Sequence, residues 1–447
     1  MWTIDLERVF WRCVDTQKLT ITSLLALAIP SILSSLLNNA YRIIDQYAVQ
    51  WIGTAAQAAM GSCAFVLIAA FSLFFLIAGG TGPLVGRAFG AGNQKEIKAL
   101  VGQSLVTTTI ISVVYCILLI QTAPILSSLV GLEAEAEQLM TTYLRWLGIT
   151  GFFIAYGPLI DSIYIAIGNT KFPMLLQLIA TIINAFLNWI FIYKLGWGIA
   201  GAAAASGISR AIASLIGLGY LITEFTPSYQ GFSHVRRMLR IGSPISAGIL
   251  SYALVYWVLL YVAISPLGEP VNAALGIGFS ALEGISWPIF AGVMMAAISL
   301  TSRKLGAGDF DGLDRMIRLT FPLATFLGLM VSATFWFGGE FLCSLFTSDP
   351  VVLEQAIFYA HVLAFSQVFV AWEALSEGIL EGAGDTKTIL WISLPFNFIR
   401  IPLGWFLAIF LGWNAFGIWW AINISTYLKA AAKMLFVAKG KWRQLEI

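Results

Sequence analysis

Charge is scarce in this sequence. Asp, Glu, Lys and Arg make up 11% of its 447 residues, against roughly 25% in soluble globular chains. Hydrophobic residues make up 59%, and the mean hydropathy is +0.85. A soluble globule needs a charged exterior, so no soluble arrangement hides this much apolar surface. Histidine is scarcer still: His234 and His361 are too few for a His-rich zinc site, and no metal centre is expected. The four cysteines, Cys13, Cys63, Cys116 and Cys343, lie far apart, three of them in apolar runs. That spacing excludes a CxxC pair and a disulfide framework. GxSxG, Walker and HExxH sequences are missing, and at a net charge of +2 there is no clustered basic patch. Together these absences exclude the common hydrolases, nucleotide users and nucleic-acid binders. Neither a catalytic residue nor a cofactor is expected.

What the chain has instead is long apolar runs. A membrane-spanning helix takes about 20 mostly apolar residues. Twelve such runs lie near 20–50, 55–83, 99–122, 140–166, 172–193, 199–223, 241–265, 272–301, 315–338, 355–380, 388–411 and 415–437. Pro30, Pro244 and Pro288 are expected kink points. The reading is an all-α integral membrane protein of twelve transmembrane helices. An even number of spans places both termini on one side, and 19 of the 25 basic residues, Lys433 among them, are assigned to it. The opposite loops hold Glu133, Glu135, Glu137, Glu269, Glu340, Asp349 and Glu354. By the positive-inside rule both termini are cytoplasmic. The segment before Leu19 mixes Asp5, Glu7 and Asp15 with basic residues and lacks an Ala-x-Ala site, so it reads as an uncleaved tail.

The chain repeats itself. Gly86-Arg87-Ala88-Phe89-Gly90-Ala91-Gly92-Asn93 returns as Ser302-Arg303-Lys304-Leu305-Gly306-Ala307-Gly308-Asp309, a displacement of 216 positions. Gly168-Asn169-Thr170-Lys171 and Gly384-Asp385-Thr386-Lys387 share that displacement, as do Gly196-Trp197 and Gly412-Trp413. Near the two starts the register slips slightly, and Pro30 pairs with Pro244. Three matches at one offset indicate duplication. Each copy has six spans, an even number, so the copies are parallel and related by a pseudo-twofold axis along the membrane normal. The expected division is a tail (1–18), an N-terminal six-helix lobe (19–224), a linker (225–240), a C-terminal six-helix lobe (241–437) and a second tail (438–447). Two lobes around a substrate path are a transporter plan.

The repeated turns carry a family resemblance. Gly86-Arg87-(x)2-Gly90-Ala91-Gly92-Asn93, Asp45-(x)7-Gly53, Asn184-(x)3-Asn188 and Gly378-Ile379-Leu380-Glu381-Gly382-Ala383-Gly384-Asp385-Thr386 are similar to the multidrug and toxic compound extrusion (MATE) family. The likeness extends from about Leu19 to Val437. It implies a cation-coupled antiporter in the plasma (inner) membrane, exporting amphiphilic, often cationic organic compounds by alternating access. Small organic molecules and membrane lipid are its implied partners, with no nucleotide or nucleic acid, and it is expected as a monomer. The neighbouring alternative is a flippase for a lipid-linked saccharide, which would want a cationic central cavity.

A charge at mid-membrane costs on the order of 3 kcal/mol or more, so each one calls for a reason. The candidates are Arg42, Asp45, Asp161, Arg210, Glu283, Glu373, Glu377 and Arg400. The resemblance makes Asp45 the principal coupling carboxylate and adds Asp161, Asn184, Asn188 and Ser206 around it. The competing reading of Asp45 is a static salt bridge with Arg42, three residues away on one helix face. The sequence departs from the archaeal-type pattern, which has Asn at the position of Asp161 and Asp at that of Asn188. Under the 216-residue displacement Asp161 maps to Glu377 and Asn184 to Arg400, which predicts a structural buried Glu377–Arg400 ion pair. Asp45 maps near Leu260, and the acid that the family often carries in span seven falls near Tyr252. With that acid missing, H+ is favoured over Na+ as coupling ion. Glu283 and Glu373 are left as unpaired acids for a substrate cavity, with Tyr252, Trp257 and Trp287 as aromatic faces for an organic cation.

Overall fold

The computed structural model describes residues 19–130, 132–229 and 231–447, and the regular structure among them is helical. The tail expected over 1–18 lies outside the described residues. Twelve helical segments match the twelve apolar runs: α1 (Ile21–Val49), α2 (Thr54–Gly90), α3 (Gln94–Ser128), α4 (Ala134–Ala166), α5 (Lys171–Lys194), α6 (Gly198–Phe225), α7 (Val235–Leu267), α8 (Glu269–Gly306), α9 (Phe310–Ser344), α10 (Pro350–Ala364 and Gln367–Gly382), α11 (Thr386–Phe410) and α12 (Asn414–Lys439). Ten are long and apolar enough to cross a membrane unaided, and α10 becomes an eleventh if its two pieces, bent by 58°, form one span. α12 has the length, 26 residues, but spends part of its apolar character on Lys429 and Lys433. Helices are the natural solution, because a backbone in hydrocarbon must satisfy its N–H and C=O groups within the segment. The protein is a multi-pass membrane protein.

The duplication is visible in three dimensions. Gly92 and Gly308 both adopt φ of +68° at the turns that end α2 and α8, a conformation that favours glycine. The next residues cap the following helices alike: Asn93 accepts from the Glu96 N–H and Asp309 from the Gly312 N–H. Departures from α-geometry repeat as well. The 3-10 turn Gly151–Ala155 inside α4 corresponds to the break between Ala364 and Gln367 in α10, and the π-turn Trp189–Lys194 closing α5 corresponds to Phe406–Phe410 closing α11. Helical structure runs uninterrupted past Pro30, Pro244 and Pro288. α7 begins at Val235, inside the stretch expected as linker.

The two halves meet along three helix pairs. α1 packs on α8, its pseudo-symmetric counterpart α7 packs on α2, and α2 and α8 meet near the axis. Close approach at the end that carries the C-terminus rests on glycine. A Cβ on Gly90 would overlap the Arg303 carbonyl, and one on Gly306 would overlap the Arg87 carbonyl. Arg87 then crosses the seam, donating to the carbonyls of Ala383 and Leu445, both at 2.8 Å. The segment after α12 also receives a hydrogen bond from Arg237 at the Ile447 carbonyl. At the opposite end, Leu260–Leu267 and Glu269–Glu283 pack chiefly within the second half. The seam is therefore tight at the terminal end and looser at the distal one.

Candidate functional site

Asp45 lies one turn before the distal end of α1, only 6% exposed. Its neighbours come from α5 and α6. Asn184 and Asn188, one turn apart on α5, donate through their side-chain amides to Asp45 Oδ1 at 2.9 and 2.7 Å. Ser206 Oγ donates to Oδ2 at 2.7 Å. The run Gly201–Ala205 just ahead of Ser206 has no bulky side chain, which lets α6 come close enough for that contact. Asn188 also donates to Asn184 Oδ1 at 3.3 Å, while its own Oδ1 is buried without a hydrogen-bond partner.

Asp45 therefore accepts three neutral hydrogen bonds and, among the described residues, forms no salt bridge. The alternative Arg42–Asp45 bridge does not form. A desolvated carboxylate without a cationic partner is costly, and binding a proton or a small cation relieves that cost. Asp161 on α4 is half-buried and makes no hydrogen bond with this cluster, so four of the five expected residues come together and the fifth stands apart. No group of three His, Cys, Asp or Glu side chains gathers among the described residues in a way that could hold a metal ion.

The second half is built differently from the expectation. Arg400 does not pair with Glu377. Fully buried, it donates to Ser425 Oγ at 2.7 Å, Tyr256 Oη at 3.1 Å and Thr426 Oγ1 at 3.1 Å. Glu377 instead binds Lys433 at 2.5 Å, and Glu373 binds both Lys433, at 3.0 Å, and Lys429, at 2.9 Å. Glu373 is thus no free cavity acid, and Lys433, with a side chain 0% exposed, is no loop charge. Sequence reasoning passed over a usable signal: Lys429 and Lys433 one turn apart on α12 face Glu373 and Glu377 one turn apart on α10. Lys429 also donates to Asn397 Oδ1 on α11, which ties three helices together.

Of the remaining cavity candidates, Glu283 accepts a hydrogen bond from Tyr359 at 2.5 Å. The Tyr252 ring lies against that of Tyr256, centroids 4.7 Å apart and planes tilted by 50°, and Arg400 also reaches the Tyr256 ring. Trp257 and Trp287 are about half exposed, at 49% and 50%. An acid without a salt bridge among the described residues and two half-exposed indoles are therefore present.

Comparison with known proteins places this geometry. The MatE family model matches residues 30–190 and again 244–406, once in each half. The "Probable multidrug resistance protein NorM" of Acinetobacter baylyi is 26% identical over 82% of this chain and 83% of its own length. The protein of the same name from Mesorhizobium japonicum is 27% identical over 93% and 92%. Among solved structures, an outward-facing conformation of a multidrug resistance MATE family transporter of the MOP superfamily superposes with a TM-score of 0.89, at 22% identity over 95% of this chain and 96% of that one.

Proposed function

The chain belongs to the MATE family of multidrug efflux transporters, and from that premise we propose that it is a proton-coupled antiporter exporting amphiphilic, often cationic organic compounds. The observation that carries this reading is the Asp45 cluster: a buried carboxylate held by the neutral side chains of Asn184, Asn188 and Ser206, with no salt bridge among the described residues. Protonation of Asp45 removes the buried charge and adds a donor, which rearranges its bonds to α5 and α6. That local change is the input to the first lobe. Binding must differ strongly between states, since moving a two-state equilibrium from 1:99 to 99:1 takes about 5.5 kcal/mol. Asp161, outside the cluster and half-buried, is suited to hand protons to it or to hold a cationic substrate.

Rocking of the lobes 19–224 and 241–437 about the seam then exposes the path alternately. The bias of basic residues toward the terminal end supports cytoplasmic termini in the plasma (inner) membrane. With that orientation, a seam tight at the terminal end is the outward-facing state. The twofold arrangement is complete within one chain, which supports a working monomer.

The test is transport of a fluorescent organic cation into or out of liposomes under a pH gradient and, separately, a sodium gradient. A pH gradient alone should drive it, and Asp45→Asn should abolish driven transport while the variant still purifies as a folded protein. Transport by Asp45→Asn at the wild-type rate would overturn the mechanism. Transport driven by sodium alone would overturn the proton.

A further inference from the structure

We propose that the first half presents an oxyanion-binding fork to the central cleft, made by Arg42 and Arg210 with Asn38, and that the exported amphiphiles include compounds which carry a carboxylate, sulfonate or phosphate beside any cationic group, held by the fork. This rests on the reading of the cleft as the transport path.

α1 has two distinct faces. Ser31, Ser35, Asn38, Arg42 and Gln46 recur at helical spacing along one face, whereas Ile29, Leu33, Ile43 and Tyr47 line another and are exposed. In a membrane helix the exposed apolar stripe faces lipid. The polar stripe faces inward, and Asn39 beside it donates to the Gly284 carbonyl of α8 at 2.8 Å, which directs that side toward the other half. Arg42 and Asn38 are exposed on this inward face, so they border the space between the halves rather than the packed core.

Arg210 reaches the same place from α6. Its guanidinium lies over the Tyr41 ring at 4.5 Å, and Nη2 donates to Asn38 Oδ1 at 3.3 Å. Tyr41 is itself fixed, hydrogen-bonded to Ser209 Oγ at 2.9 Å and to the Ser206 carbonyl at 3.1 Å. Asn38 and Arg42 are one turn apart on one helix face, where side chains are neighbours. The two guanidiniums therefore converge on one stretch of the cleft wall. Neither forms a salt bridge among the described residues, and none of their nitrogens is among the buried atoms that lack a partner. Their free N–H groups thus open onto the cleft.

Two guanidiniums on one stretch of a membrane helix wall, neither in a salt bridge among the described residues although Asp45 and Asp161 lie within electrostatic reach of Arg210, are matched by an oxyanion, whose geometry takes forked N–H donors. The acids that could have turned the cleft toward cations alone are partly spent: Glu373 and Glu377 are already paired with Lys429 and Lys433.

The experiment uses equilibrium binding to the purified full chain, without any gradient, so that failed coupling and a failed fork remain distinguishable. The probes are dansylglycine, an anion, and dansylcholamine, a cation with the same fluorophore, followed by fluorescence polarisation. The double variant R42Q/R210Q should weaken dansylglycine at least tenfold and leave dansylcholamine within twofold. The R42K/R210K variant, which keeps charge but not fork geometry, should fall between. Equal dansylglycine affinity in wild type and R42Q/R210Q would overturn the proposal, as would a matched loss of both probes. Repeating the titration in nanodiscs with and without phosphatidylglycerol tells substrate from lipid. Unchanged dansylglycine binding supports the proposal, and displacement by the lipid would assign the fork to a lipid head group and overturn the substrate reading.

Discussion

Replacing Lys433 by Met offers a severe test of the charge cluster in the second half. Lys433 is 0% exposed and is the only cation bonded to Glu377 among the described residues, at 2.5 Å. Glu373 by contrast keeps Lys429 at 2.9 Å after the change. The substitution thus strands one carboxylate, not two. Removing one partner of a buried pair costs about 3–5 kcal/mol, most of it the penalty of the charge left behind. The Glu377 side chain retains 31% exposure, so water offsets part of that penalty and the loss falls at the lower end, about 3 kcal/mol. That is a factor of about 150 in the folding equilibrium. Unfolding in mixed detergent micelles, titrated with a denaturing detergent, measures it. Lys429→Met should cost less, because Glu373 keeps Lys433 and Asn397 loses only a hydrogen bond. Replacing both charges in K433M/E377Q should recover most of the loss, because no charge is then stranded. A K433M variant as stable as wild type, or a double variant no better than K433M, would refute the reasoning.

Other outcomes follow from the same geometry. Gly90→Val and Gly306→Val each place bulk against the opposite helix backbone, so each should loosen the seam. The expected result is faster labelling of a cysteine introduced at the terminal end, with the two variants alike because the contacts are symmetric. Arg87→Ala should have the same direction of effect, since its two bonds at 2.8 Å span the seam. The caps of α3 and α9 should respond differently to acid. Lys304 and the Gly312 N–H hold the Asp309 carboxyl below its ordinary value, so the stability it contributes is present above the unfolded carboxylate range and is lost as pH falls through the folded value. Amide exchange at Gly312 should therefore rise on acidification relative to Glu96, whose cap, Asn93, does not titrate in that range.

Several of these features could be read from the sequence, and others could not, for physical reasons. The duplication was legible because turns demand particular residues: Gly92 and Gly308 sit where φ is positive, and few residues substitute there. Asn184 and Asn188 were legible as partners of Asp45 only through the family resemblance, and their one-turn spacing on α5 is what lets both amides reach it. The failure at Arg400 has a different origin. Its ligands are hydroxyls, Ser425, Thr426 and Tyr256, and hydroxyl residues are too common in membrane helices to flag a site. Lys433 was misplaced because charge near the end of an apolar run normally marks a loop, and only the matching spacing of Glu373 and Glu377 distinguishes a buried ladder.

The contrast between the two halves bears on energetics as well as architecture. Where the first half surrounds an anionic Asp45 with neutral donors, the corresponding pocket of the second holds a permanent guanidinium, Arg400, among hydroxyls. One copy is left able to exchange a charge with its surroundings, and the other carries its cation as part of the chain. On the mechanism proposed above, with Asp45 as the one coupling carboxylate, the stoichiometry is one ion per cycle. For one-for-one exchange of a proton with a singly charged cation, the steepest substrate gradient that can be sustained is then about tenfold per pH unit. Higher concentrative power would require restoring the lost acid to the second copy.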